Sequence, residues 1–146
     1  MIFDTHAHYC DHQFDEDRES LICVLKDNNI KYVTEVCASM DDVDRIVAFA
    51  YEHNFIYAAL GVHPSEVDKL TESDMEYIKK LSVNVNNKVV AIGEIGLDYH
   101  YDDGPNSDMQ KKWFVRQLNL ARELKLPVII HSREARKTFF ILYYTF

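Results

Sequence analysis

Two imidazoles separated by one residue, His6 and His8 in Asp4-Thr-His-Ala-His8, begin a set of side chains that could hold divalent cations. On a strand, residues two apart share a face, so both rings can reach one ion; the alternative is a pair of satisfied polar residues at a strand end. Three further segments shift that balance. Glu94 in Gly93-Glu-Ile-Gly-Leu-Asp98 is a carboxylate in an otherwise apolar run, where burial is costly without a cation or a positive partner. Bridging two metal ions would satisfy it. His131 follows Val128-Ile-Ile and offers a further imidazole, with Arg133 two residues on. A guanidinium there suits phosphate oxygens, or it forms a surface ion pair. His63 in Gly61-Val-His-Pro64 ends another apolar run and is assigned to substrate contact or to orienting a ligand, with Pro64 stiffening the turn. Asp98 either orders the loop after Glu94 or caps a turn. His12, His53 and His100 are expected to be ordinary surface histidines, and Cys10 a small loop residue near the site.

The elements that must carry these groups alternate in type. Five short apolar runs, about Met1 to His6, Tyr32 to Cys37, Tyr57 to Val62, Val89 to Ile95 and Pro127 to His131, read as strands. Between them lie amphipathic stretches: about Asp15 to Asn28, one opening near Asp41, Thr71 to about Leu81, and Ser107 to Leu124. Repeated βα units predict an α/β fold around a parallel sheet. Thr138 to Phe146 carries no charge and reads as a divergent apolar tail, as a frameshift, a misread junction or a truncated gene would leave.

Length and charge set the frame. With 146 residues, 47% of them apolar, one domain is expected. A net charge of -8 disfavours nonspecific attraction to phosphate backbones or anionic lipid, so a nucleic-acid contact must be local. Lys111, Lys112 and Arg116 could form such a patch, but a solvated helix face is the favoured reading. The start lacks a signal sequence and a membrane span, which predicts a cytoplasmic or nuclear protein. Cys10, Cys23 and Cys37 show no paired spacing and read as reduced thiols.

Together, Asp4 to His8, Gly61 to Pro64, Gly93 to Asp98, the Gln110, Phe114, Gln117-Leu118 spacing and Pro127 to Ala135 resemble the TatD-like deoxyribonucleases of the metal-dependent hydrolase superfamily. The resemblance covers about residues 1–137 and implies the N-terminal part of a TIM-type (β/α)8 barrel, about five βα units of a fold that typically needs about 250 residues. It implies two divalent ions (Mg, Mn or Zn), with His6 and His8 binding one, His131 the other and Glu94 bridging them as the catalytic carboxylate. The implied reaction is phosphodiester hydrolysis of DNA, often from the 3′ end, with His63 and Arg133 facing the substrate. The family's further His from the sixth strand and Asp from the eighth have no match in these residues. Five strands would leave two open edges, for which self-association is expected. The competing readings are a noncatalytic remnant and a related metal-dependent amide or ester hydrolase.

Overall fold

The computed structural model describes residues 1–145. Five strands, β1 (Ile2–Ala7), β2 (Ile30–Val36), β3 (Ile56–Leu60), β4 (Val89–Asp98) and β5 (Val128–Arg133), form one parallel sheet in sequence order. Helices α1 (Arg18–Asp27), α2 (Val43–Glu52), α3 (Glu72–Val83), α4 (Ser107–Leu124) and α5 (Arg136–Thr145) follow the strands in turn. Parallel neighbours joined through helices are the expected α/β arrangement, here a half-barrel.

The sheet has two unlike faces. Val33, Ile56, Ala58, Leu60, Ile92, Ile95 and Leu97 pack outward against Ile22, Ile46, Phe49, Ile78, Phe114 and Leu120 of the helices, making the main core. A separate small cluster, Val36, Ala59 and Ala91 with Ile129, occupies the inner face. Strand alternation accounts for the separation, since neighbouring residues point to opposite sides.

The amphipathic stretches fold as their patterns require. Thr71 caps α3 through a capping box with Asp74, the Thr side chain accepting from the Asp amide and the Asp carboxylate accepting from the Thr amide. Helix α4 spans the expected residues, with Trp113, Phe114, Leu120 and Ala121 buried. Residues 12–14 form a 3-10 turn and residues 15–17 a further turn, so the first α-helix starts at Arg18 rather than at Asp15. The apolar stretch from Thr138 continues as α5, where Phe139 stacks on Phe114 at 6.1 Å between ring centroids. Phe146, the last residue of that stretch, lies outside the described residues.

Strand β4 runs three residues past its expected end. Its pairing with β5 slips between Ile92 and Ile95, so that Ile92 pairs with Val128 but Ile95 with Ile130. Three residues on β4 thus face two on β5, the mark of a β-bulge. Before the slip Ala91 faces inward and Ile92 outward; after it Ile95 and Leu97 face outward. One extra residue inverts the parity, so Glu94, Gly96 and Asp98 all point to the inner face. Gly93 lies in the bulge, and a Cβ there would come within 2.6 Å of Ile129 Cβ.

Candidate metal centre

Strand parity and register together build the site. Beyond the bulge, Gly96 pairs with His131 and Asp98 with Arg133. Because Gly96 has no side chain, the His131 ring occupies the gap between the two carboxylates. Its Nδ1 lies 3.2 Å from Glu94 Oε1 and its Nε2 2.9 Å from Asp98 Oδ2. The shorter contact, to Asp98, holds Nε2 and leaves Nδ1 facing Glu94.

His6 and His8 converge on the same carboxylate from β1. His6 Nε2 lies 3.3 Å from Glu94 Oε2 and 3.1 Å from His8 Nε2. The tautomer of His8 follows from its other nitrogen, which sits 2.9 Å from the Val36 carbonyl. A carbonyl only accepts, so Nδ1 carries the proton and the Nε2 lone pair points at His6. Glu94 is anchored through its own amide, which donates to the Cys37 carbonyl at 2.9 Å.

Two groups of side chains that could hold a cation result: His6, His8 and Glu94, and His63, Glu94 and His131. Within each, one ligand atom per residue lies within 4.8 Å of the others. Glu94 belongs to both. Imidazole and carboxylate donors pointing at one another, with a half-buried anion between them, are a donor set that divalent ions fit.

His63 follows β3, with its ring centroid 4.2 Å from that of His131. Burial first, and then His131, hold its pKa below the ordinary value against the pull of Glu94 and Asp98. Its Nδ1 accepts from the Ser65 amide at 3.2 Å, which places the proton of the neutral ring on Nε2. It can thus donate a hydrogen bond from Nε2.

Helix α4 holds two of these segments by their backbones. Gln117 receives the Val62 amide at 2.8 Å and donates to the Val62 carbonyl at 3.1 Å, next to His63. Two turns earlier, Gln110 makes the same pair of bonds to Asp98, at 2.8 and 2.7 Å. Both glutamines are buried. Their spacing was visible in the sequence; their backbone-gripping role was not.

Asp98 has a larger part than a turn cap. Arg133 donates to it from Nε at 3.1 and 3.0 Å and from Nη2 at 2.6 Å, and the guanidinium lies 4.6 Å from the Tyr101 ring centroid. Burial acts to raise the Asp98 pKa, but bonds from Arg133, the His100 amide and His131 outweigh it and hold the carboxyl well below the usual range. A depressed folded-state pKa contributes stability above the unfolded value of about 4, and that contribution fades as pH falls toward the folded value. Asp98→Asn should therefore cost about 2 kcal/mol at pH 7, less than the about 3–5 kcal/mol of a fully buried pair because Arg133 is partly exposed. Urea unfolding in the presence of a chelator checks this. The penalty should shrink progressively below about pH 4; a penalty equal at pH 7 and pH 2.5 would refute the assignment.

Three histidines read as ordinary surface groups have partners. His53 is half-buried, with its ring 4.7 Å from that of Phe49; His12 bonds Asp15 at 2.9 Å, and His100 bonds Glu134 at 2.7 Å. None of them is in either of the two candidate cation groups. Lys111 pairs with Asp108 at 3.0 Å, Lys112 lies over Trp113 and Arg116 pairs with Glu72 at 2.8 Å, in keeping with a solvated helix face.

Burial pushes both the Cys10 and Cys37 thiols up to about 12, whereas Cys23 is exposed. At pH 8 a thiol reagent should label one site quickly, Cys23. Fast labelling of two or three would contradict the burial.

Parallel βα units whose histidines and carboxylates converge on the inner face toward the C-terminal ends of the strands define a barrel-type α/β scaffold with a candidate metal centre. The model of the family described as TatD related DNase matches residues 3–143, and the chain belongs to that family. It is 44% identical over 135 residues to the metal-dependent hydrolase YabD of Bacillus subtilis strain 168, covering 92% of this chain and 52% of that protein. It is 30% identical over 141 residues to the 3'-5' ssDNA/RNA exonuclease TatD of Cronobacter sakazakii, covering 97% of this chain and 52% of the other. The crystal structure of YjjV, a TatD homologue from Escherichia coli K12, superposes with a TM-score of 0.87 at 31% identity, over 96% of this chain and 54% of that one. The chain spans about half the length of the curated relatives it matches. Among the described residues, no helix is long and apolar enough to cross a membrane.

Proposed function

We propose that residues 1–137 supply the N-terminal part of a metal-dependent phosphodiesterase site that acts on DNA. The observation that carries this reading is Glu94, a half-buried carboxylate between His6 and His131, each within 3.3 Å. In this reading His6 and His8 would hold one divalent ion, His131 would help to hold a second, and Glu94 would contribute to both. Such ions supply Lewis-acid stabilisation of developing charge on phosphoryl oxygens and acidify water near neutral pH.

The chain's own residues do the rest. Asp98 orients His131 by holding Nε2, so the ring cannot turn Nδ1 away from Glu94. His63 offers its Nε2 proton to a non-bridging phosphate oxygen. Arg133, held flat by Asp98 and Tyr101, presents the remaining edge of its guanidinium to the same anion. The 3'-5' exonuclease name of the Cronobacter relative supports a strand end as substrate.

The test offers a 3′-labelled single-stranded oligonucleotide and a cyclic amide to the protein in one metal buffer. Cleavage of the oligonucleotide, lost on chelation, is expected. Turnover of the amide alone would replace this reading with an amidohydrolase, and turnover of neither with any divalent ion would leave a noncatalytic remnant.

A further inference from the structure

Glu35 has no part in either cation-binding group, yet it is a fully buried carboxylate, 0% exposed, on the outward face of β2. Burying a carboxylate there costs free energy unless its oxygens are used. Both are. Oε2 accepts the Tyr9 amide at 3.0 Å and Oε1 the Cys10 amide at 2.7 Å, the first two amides after His8.

The same loop is held through its carbonyls by the opposite charge. Arg18 donates from Nε to the Tyr9 carbonyl at 2.6 Å, and from Nη2 to the Cys10 and Asp11 carbonyls at 3.4 and 3.0 Å. Asp15 and Arg45 continue the network, since Asp15 accepts from both arginines. The residue after Glu35, Val36, supplies the carbonyl that fixes the His8 tautomer. The end of β2 thus sets both the path of the chain leaving His8 and the rotation of its ring.

We propose that Glu35 and Arg18 form a clamp of opposite charges on the Tyr9–Asp11 backbone that positions His8, and with it the His6–His8 pair, for a divalent cation. Both are positioning residues, because neither reaches the cation-binding groups. The inference rests on the metal-centre reading and extends it to the outer side of the sheet, where a carboxylate orients a ligand through two backbone amides rather than by touching its ring. Outer partners of this kind typically govern metal affinity by about 10- to 100-fold.

The test compares the whole chain with its Glu35→Ala and Arg18→Met variants, using Mn2+ titration against a chromophoric chelator and the rate of thiol labelling. Circular dichroism establishes that each variant is folded, and Arg18→Met serves if Glu35→Ala does not fold. Expected is a loss of about 10- to 100-fold for one ion, with the other changed by less than about threefold. In the same variants Cys10, buried in the wild type, should become labelled at a rate approaching that of Cys23. A lost core contact alone would not separate the two ions. Folded variants that bind both ions as the wild type does, with Cys10 still protected, would overturn the clamp and leave the metal centre standing. A wild type that binds no ion would overturn the metal centre, and the clamp's role with it.

Discussion

Glu94→Ala should abolish metal binding at both positions together, weakening each ion by at least about 100-fold, since removing a ligand costs more than removing its outer partner. The reason is geometric. His6 and His131 approach opposite oxygens of one carboxylate, Oε2 and Oε1, so a single side chain belongs to both groups. His6→Ala, by contrast, should weaken one ion and leave the other nearly intact. Calorimetric titration of chelator-stripped protein distinguishes these outcomes. If Glu94→Ala lost one ion and kept the other at full affinity, the carboxylate would not be shared.

Gly96→Ala should be the most destabilising single change in the sheet, by about 3 kcal/mol or more, from overpacking and strained backbone together. Gly96 has a φ of +151°, and a Cβ there would lie 1.9 Å from the His131 carbonyl oxygen. Backbone, unlike the tip of a flexible side chain, cannot move aside, so β4 and β5 would have to part where the register aligns His131 and Arg133. Equilibrium unfolding would register the loss, and metal titration a matching loss of the ion near His131. A variant as stable as the wild type would mean that the pairing at this point is looser than described.

Why some of this was legible in the sequence and some was not follows from the kind of information involved. The strands announced themselves as apolar runs and the helices as amphipathic stretches, because burial on one face imposes a period that a single chain displays. His6, His8 and His131 stood out because imidazoles near strand ends lie where ligands collect in a βα fold. The inward turn of Glu94 was not legible in the same way. It depends on a one-residue bulge, and only pairing with β5 reveals the slip.

Asp98 was undervalued for a related reason. Its partners His131 and Arg133 lie 33 and 35 residues away, and its importance comes from β4 continuing beyond Ile95 so that Asp98 meets Arg133 in register. Glu35 was missed although a signal existed. An ionisable residue within Tyr32-Val-Thr-Glu-Val36 of a sheet-forming run invites the same question as Glu94, namely what repays its burial. The answer, two amides of the loop after β1, requires the strands to be side by side.

The most direct test of the shared carboxylate is a count of bound Mn2+ by electron paramagnetic resonance as the chelator-stripped chain is titrated. The expected result is that the free-ion signal stays suppressed until two equivalents have been added, and that the bound ions are magnetically coupled through Glu94. A free-ion signal growing from the first addition, or two uncoupled ions, would contradict it.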